Sequence, residues 1–223
     1  MRTIALWCLV VTALAAATAS ADLITNGSFE SSPIANIGSF ITLSAVDSTS
    51  ITGWTVTQGS IDYIGTYWSA SDGVRSIDLA GNGMGAIADP FDTDINTSYL
   101  LEFDLAGNPD GGQLLLDGSP NLKVKTVYVT VAPVGAILPT VYTFTFDTTG
   151  KNRTTDMGWT TQRLLFTGFG DFTQITFSSG MGTSPYGPAL DNVRVNAVPE
   201  PMSIMLGIMG LGSVAGFRKL RKS

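Results

Sequence analysis

The stretch Tyr142-Thr143-Phe144-Thr145-Phe146-Asp147 sets the fold class of this chain. Every second residue in it is aromatic and the residues between are polar. This period of two is typical of a β-strand with one face on a hydrophobic core. Leu101-Glu102-Phe103-Asp104-Leu105 repeats the pattern with acidic residues at the polar positions. The two stretches predict a protein built from half-buried strands.

Segments of the same character recur along residues 22–197. They are 40–46, 51–56, 75–79, 122–131, 163–166, 172–177 and 191–195. Clusters of turn-forming residues separate them, as at Ala80-Gly81-Asn82-Gly83 and Asp117-Gly118-Ser119-Pro120. About ten short strands without a convincing helix predict an all-β domain over 22–197, a jelly-roll β-sandwich.

The first 21 residues have the pattern of a secretory signal peptide. Arg2 precedes an apolar stretch from 4 to 17, and the small residues Ala19 and Ala21 follow. This order predicts a signal peptide over 1–21 with cleavage after Ala21. The one cysteine of the chain, Cys8, lies inside it. We therefore expect a secreted domain without disulfide bonds.

The last 26 residues, 198–223, combine an apolar run with a basic end. No residue from 202 to 217 is charged, and four of the next five residues are basic: Arg218, Lys219, Arg221 and Lys222. As a helix the run is about 24 Å long, which is short for a bilayer core of about 30 Å. Basic side chains can reach the headgroups and place this end in the cytoplasm. The run has no polar face, which argues against a buried core helix, so we expect a transmembrane helix.

The tail as a whole resembles a known sorting signal. Pro199, Glu200 and Pro201 stand before the apolar run, and the basic end follows it. This order is similar to the PEP-CTERM signal of Gram-negative bacteria that make exopolysaccharide. The resemblance implies that an exosortase-type membrane protease removes the helix. The protein would then be anchored in the inner membrane only transiently and would end at the cell surface or in the extracellular matrix, in a biofilm for example.

A second resemblance covers most of 22–197. The segments that carry it are Leu23-Ile24-Thr25-Asn26-Gly27-Ser28-Phe29-Glu30, Thr52-Gly53-Trp54-Thr55-Val56, Ile61-Asp62-Tyr63-Ile64, Asp72-Gly73-Val74-Arg75-Ser76-Ile77-Asp78-Leu79 and Gly187-Pro188-Ala189-Leu190-Asp191-Asn192-Val193. They resemble the DUF642 type of extracellular domain and, with Tyr67-Trp68 and the segment 104–112, its choice-of-anchor C subgroup. The resemblance implies a galactose-binding-like jelly roll associated with polysaccharide or cell wall.

Composition excludes several classes of function. The formal net charge is −6, and five of the twelve basic residues lie in the two terminal segments, so the domain itself is still more acidic. Such a surface repels phosphate backbones, and we expect no nucleic-acid partner. The chain has no histidine, and no cysteine outside 1–21, which removes the usual general base and thiol nucleophile. We expect no enzyme; a glycoside hydrolase using paired carboxylates is a distant alternative.

Two glycine-rich loops carry the candidate ligand-binding residues. Tyr67 and Trp68 stand side by side in a loop of small polar residues, where aromatic rings can stack on a sugar. Asn108 and Asp110 in the second loop could bond to its hydroxyl groups. The alternative is that both rings plug one end of the sandwich.

A structural calcium ion is predicted at the first and last segments of the domain. Asp191 alternates with Val193 and Val195, so it should point toward the core, where a lone carboxylate needs a partner. Glu30 could join it as a second hard oxygen ligand for Ca²⁺. The alternative is that Asp191 pairs with Arg75 or Arg194, or accepts backbone N–H bonds at a bulge.

Two functions remain open from the sequence. In the first, the domain is a carbohydrate-binding module that ties the cell surface to its exopolysaccharide. In the second, it is a structural or adhesive matrix protein that binds another protein. Saturable binding of a soluble glycan, abolished by the loss of one aromatic side chain, would separate them.

Overall fold

The computed structural model describes residues 21–110, 123–170, 172–182 and 184–199, and the strands lie in one compact unit, Ala21–Ala197. Eleven strands are described: β1 Phe40–Ser44, β2 Thr55–Gln58, β3 Ser60–Ile64, β4 Ser76–Asp78, β5 Ala86–Phe91, β6 Ser98–Gly107, β7 Val124–Pro133, β8 Val141–Asp147, β9 Thr160–Thr167, β10 Thr173–Ser179 and β11 Pro188–Ala197. All nine segments proposed from the sequence overlap one of these strands.

The strands form two antiparallel sheets. The six-stranded sheet has the order β1-β3-β4-β11-β6-β9, and the five-stranded sheet has the order β2-β5-β10-β7-β8. Strands β4 to β11 pair in a nested fashion, β7 with β8, β6 with β9, β5 with β10 and β4 with β11. This is one long hairpin rolled across two sheets, the connectivity of a jelly roll. The predicted jelly-roll β-sandwich is confirmed by this topology.

The core lies between the two sheets and follows from the alternation of side chains. Leu101, Phe103 and Leu105 on β6 are fully buried, and Phe103 meets the rings of Phe144 on β8 and Phe177 on β10 edge to face at 5.1 Å. Edge-to-face pairs at this separation add stability beyond the burial of their area. The aromatic positions of the opening stretch thus join the two sheets.

The segment before β1 closes one edge of the core. The N–H of Leu23 donates to the carbonyl of Val195, and the N–H of Val193 donates to the carbonyl of Gly27. A Cβ on Gly27 would overlap the carbonyl oxygen of Val193, so this close approach requires glycine. Trp54 is buried and donates its indole N–H to the carbonyl of Asn26 at 3.1 Å. The start of the domain is therefore tied to β11.

The terminal predictions fall outside the described part of the chain. The signal peptide (1–21) lies outside it except for Ala21, and so does the tail from Glu200 onward. Among the described residues no helix is long and apolar enough to cross a membrane.

Candidate functional site

A cleft lies on the outer face of the six-stranded sheet. Antiparallel pairing places Thr42 of β1 opposite Asp62 of β3, and Asp62 opposite Asp78 of β4. These residues are out of phase with the core row, so their side chains lie on the face away from the core. The row sits near the end of the sandwich where β4 and β6 end and β11 begins.

The cleft has a volume of about 290 Å³ and combines aromatic, amide and carboxyl groups. Its rings come from Phe40, Tyr67 and Tyr186, its amides from Asn82 and Asn108, and its carboxyl groups from Asp62 and Asp78. Phe40 is 42% exposed at the rim. Rings with a few convergent polar groups are the usual lining of a small-molecule site.

Asp78 forms the buried floor of the cleft. Its side chain is only 1% exposed and accepts hydrogen bonds from the backbone N–H groups of Ala80 and Gly187 at 3.0 Å and from Asn108 Nδ2 at 2.9 Å. Burial raises the pKa of Asp78 to about 8, and the nearby charge of Asp62 acts in the same direction. The three donors use the carboxyl oxygens, so Asp78 fixes the cleft wall and is shielded from a ligand.

Asp62 is the more accessible carboxyl group of the pair. Thr42 donates its hydroxyl to Asp62 Oδ1 at 2.6 Å, and burial raises the pKa of Asp62. Facing carboxyl groups on paired strands repel one another when both are charged. The cleft therefore disfavours a further negative charge and suits a neutral or hydroxyl-rich ligand.

Tyr67 lines both this cleft and a second one, which the β3–β4 loop forms with Arg153 and Thr154, but its side chain already contacts other protein groups. Its hydroxyl donates to Asp110 Oδ2 at 2.7 Å, and the Arg153 guanidinium lies 4.6 Å from the ring centroid. Arg153 Nε also pairs with Asp110 Oδ2 at 2.7 Å. Burial and the hydrogen bond to Asp110 raise the pKa of the Tyr67 phenol. Tyr67 and Asp110, both predicted as ligand contacts, are thus brought together, and Arg153 holds them.

Trp68 does not lie where the sequence prediction required it. The side chain is 4% exposed and donates its indole N–H to the hydroxyl of Ser76 at 2.8 Å. Its ring packs against Tyr67 with a centroid separation of 5.5 Å. A buried ring with its polar group satisfied cannot serve as a stacking platform for a sugar. The proposed ligand role of Trp68 is therefore corrected to the plug that the sequence left as the alternative.

Asn108, a predicted ligand contact, lines the cleft but is largely buried. Besides its bond to Asp78, its Oδ1 accepts the backbone N–H of Asp110 at 3.0 Å. The described part of the loop ends at Asp110, and 111–122 lie beyond it. Asn108 shapes the wall, and Asp110 stands at its outer edge.

The prediction that Asp191 points toward the core is wrong. The pairing of β11 with β6 shifts between Asp191 and Arg194, where Asn192 has a φ of 51°. This bulge changes the phase of the strand, so Asp191 stands opposite Asp104 and out of phase with Val195. The carboxylate points away from the core, beneath the loop between β3 and β4.

Asp191 and Glu30 both hold that loop through backbone N–H groups. Asp191 Oδ2 accepts from Ser71 at 2.7 Å and Asp72 at 2.9 Å, and its Oδ1 accepts from Asn192 at 2.7 Å. Glu30 Oε1 accepts the N–H groups of Val74 at 2.8 Å and Arg75 at 2.7 Å. The observed contacts correspond to the alternative of backbone N–H bonds at a bulge.

Backbone N–H groups satisfy the carboxyl oxygens of Asp191 without a calcium ion. The oxygens already face three N–H donors, whose positive ends disfavour a cation, and Ca²⁺ needs six to eight oxygen ligands. Among the described residues no group of three or more His, Cys, Asp or Glu side chains could hold a metal ion. A Glu30–Asp191 calcium site stays a prediction.

Sequence reasoning missed most of the cleft. Asp62 and Asp78 occupy the polar phase of short strands and look like ordinary surface positions. Only the register between β1, β3 and β4 makes them neighbours, and nothing local in the sequence encodes that register. No motif marks Arg153, and the one available signal is that it is a basic residue in a domain with many acidic ones.

Comparison with known proteins places the chain in a family. Residues 22–196 match the family model described as "Protein of unknown function (DUF642)". Halomucin of Haloquadratum walsbyi is 31% identical over 209 residues; the match covers 91% of this chain and 2% of halomucin. Similar solved structures include TmCBM61 in complex with β-1,4-galactotriose (TM-score 0.44, 12% identity, 80% of this chain and 100% of that one). Another is the CBM22-1 xylan-binding domain of Paenibacillus barcinonensis Xyn10C (TM-score 0.43, 14% identity, 75% of this chain and 99% of that one). From the family match over 22–196, the chain belongs to the DUF642 family.

Proposed function

We propose that the domain is a non-catalytic carbohydrate-binding module whose site is the cleft on the outer face of the six-stranded sheet. The observation that carries this proposal is the lining of that cleft, in which Phe40, Tyr67 and Tyr186 surround amide and carboxyl groups. A sugar ring has apolar faces that pack on aromatic side chains and hydroxyl groups that bond to Asn and Asp.

The charge of the cleft defines the class of glycan. Asp62 and Asp78 stand on neighbouring strands, and the charge of Asp62 adds to burial in raising the pKa of Asp78. A uronic acid would bring a further carboxylate beside Asp62, so we propose a neutral polysaccharide. The same pair does not support hydrolysis, because a glycosidase needs two carboxyl groups that reach the scissile bond and Asp78 is shielded by its hydrogen bonds.

The position of the cleft agrees with a surface-attached protein. It lies toward the end of the sandwich opposite Ala197, since Ala197 pairs with Tyr99 near the start of β6. We propose that a signal peptide directs export and that the Pro199-Glu200-Pro201 tail is a PEP-CTERM signal processed by an exosortase-type protease. The protein would then reach the cell surface or matrix, where exopolysaccharide is its ligand. Intact-mass analysis of the matrix form tests the tail: recovery of Arg221 would refute the processing.

A glycan screen of the secreted protein tests the binding function. Neutral and acidic soluble polysaccharides are compared, each with calcium and with EDTA. We expect saturable binding to a neutral glycan that Phe40→Ala weakens at least about fivefold, since covering the ring with a sugar face contributes on the order of 1–3 kcal/mol. Phe172→Ala is the matched control, because Phe172 is an exposed ring far from the cleft.

The outcomes separate the two functions left open by the sequence. Binding to no glycan while a matrix protein binds saturably would favour the adhesive role and refute the module. Equal weakening of glycan binding by both variants would refute the cleft as its site. Preference for uronic-acid polymers would refute the charge argument alone. Release of reducing sugar that Asp62→Asn abolishes would refute the non-catalytic assignment.

A further inference from the structure

Three loops at one end of the sandwich expose a cluster of large apolar side chains. We define the apolar loop cluster by its six members, which are 44–93% exposed: Ile95, Val134, Ile137, Leu138, Phe169 and Phe172. They come from the β5–β6, β7–β8 and β9–β10 loops. Single exposed apolar residues are common, but a contiguous group rimmed by polar ones marks a contact surface.

Hydrogen bonds between the loops hold the cluster together. The N–H of Val134 donates to the carbonyl of Phe172 at 2.7 Å, and the N–H of Phe172 donates to Asp92 Oδ1 at 3.1 Å. Ile95 lies against Gly170, between the two phenylalanines in sequence. Phe172 also has a φ of 57°, a conformation that is costly for a residue with a large side chain. The unfavourable φ of Phe172 thus holds an apolar side chain exposed, although the stability of the fold alone would favour a polar side chain there.

The cluster shares its end of the domain with the C-terminus of the fold. Ala197, the last residue of β11, stands opposite Tyr99 at the start of β6, directly after the β5–β6 loop that carries Ile95. The uncharged run begins at Met202. Four intervening residues span at most about 14 Å when fully extended. A chain held in a bilayer by that run would keep this end of the domain within reach of the lipid surface.

We propose that the apolar loop cluster contacts the lipid bilayer while the tail is attached, so that the domain stands on this end with its glycan cleft directed away from the membrane. The proposal rests on the membrane role proposed for the tail. The three loops contain no Lys or Arg, and their sequences include Asp92, Asp94 and Asp171. Anionic lipid would be repelled, so the partner is a zwitterionic surface.

Site-specific fluorescence on the full chain tests the contact. In a Cys8→Ser background, an environment-sensitive dye is attached at Ile137→Cys, and a control dye at Val46→Cys in the β1–β2 connection. The chain is reconstituted in phosphatidylcholine vesicles with and without brominated lipid. We expect the dye at 137 to be quenched at least about twofold, because interfacial side chains enter the boundary of headgroups and acyl chains. The dye at 46 should be unchanged.

Further variants and a flotation assay fix the interpretation. The double change Phe169→Ser and Phe172→Ser should remove the quenching at 137, whereas Val74→Ser, an exposed valine elsewhere, should not; circular dichroism checks that both variants fold. Flotation of the chain with vesicles without quenching at 137 overturns the loop contact but leaves the tail proposal standing. Absence of flotation overturns both. A dye response that depends on protein concentration and not on brominated lipid would assign the cluster to a second copy of the chain and overturn the lipid contact.

Discussion

Replacement of Trp68 separates a structural role from a ligand-binding role more clearly than any other single change. The ring is buried, packs on Tyr67 and donates to the hydroxyl of Ser76. Trp68→Ala would leave a large cavity and remove the partner of a buried hydroxyl. Truncation of a buried tryptophan to alanine typically costs about 3–5 kcal/mol of unfolding free energy. For a domain of this size each kcal/mol lowers the melting temperature by roughly 2–4 °C, so a loss of roughly 6–20 °C is expected.

The assay compares two aromatic variants in stability and in binding. Urea unfolding is followed by far-ultraviolet circular dichroism, because tryptophan fluorescence itself changes in the variant. Phe40→Ala is the reference, since its rim position should cost about 1 kcal/mol or less while the glycan affinity falls. Trp68→Phe should recover most of the stability but not the bond to Ser76. A Trp68→Ala protein as stable as the wild type that no longer binds glycan would refute the assignment and restore Trp68 as a ligand contact.

Three further predictions concern the anchors of the fold and its charge. Asp191→Ala should lower the unfolding free energy by at least about 2 kcal/mol, equally in calcium and in EDTA, because it leaves buried N–H groups without an acceptor. Asp156→Asn, at a surface ion pair, is the mild control. Calcium-dependent stability that is lost in Asp191→Ala would instead support the calcium ion. Gly27→Ala should markedly lower the melting temperature, because a Cβ at this position overlaps the Val193 carbonyl. Gly83→Ala should not, because the space around Gly83 is open, and equal melting temperatures would contradict the close approach of Gly27 to Val193. Burial raises the pKa values of Asp78 to about 8 and of Asp89 and Asp191 to about 7, so the folded state keeps protons that the unfolded state has released. The urea midpoint should therefore fall as the pH rises from 5 to 8. A midpoint that rises over that range would show that other groups dominate the pH dependence.

The fold could be predicted from the sequence because its signal is local. Alternation in the segments around Phe103 and Phe144 gives both the strand and its buried face, and glycine-rich turns give the strand boundaries. The nine segments leave out β3 and β5, because both strands lie inside a sheet and most of their residues are buried, so the period of two is lost. The jelly-roll topology was predicted from the strand count and the family resemblance together.

The site could be predicted only in part because its geometry is not local. A one-residue bulge at Asn192 reverses the phase on which the prediction for Asp191 depended. The register between β3 and β4 brings Asp62 to Asp78, and the fold of the β3–β4 loop buries Trp68 while it brings Tyr67 to Asp110. Such relations depend on tertiary packing, which residue types and spacing along one chain do not specify.

Glycan binding at the cleft is tested most directly by mapping the ligand contact on the folded domain by nuclear magnetic resonance. A neutral oligosaccharide identified in the screen is titrated into the isotopically labelled protein, and backbone amide shifts are followed to saturation. If the cleft is the glycan site, the perturbed amides will cluster around Phe40, Thr42, Asp62, Asn82 and Tyr186. Perturbations confined to the outer face of the five-stranded sheet or to the apolar loop cluster, with these five unchanged, would contradict it.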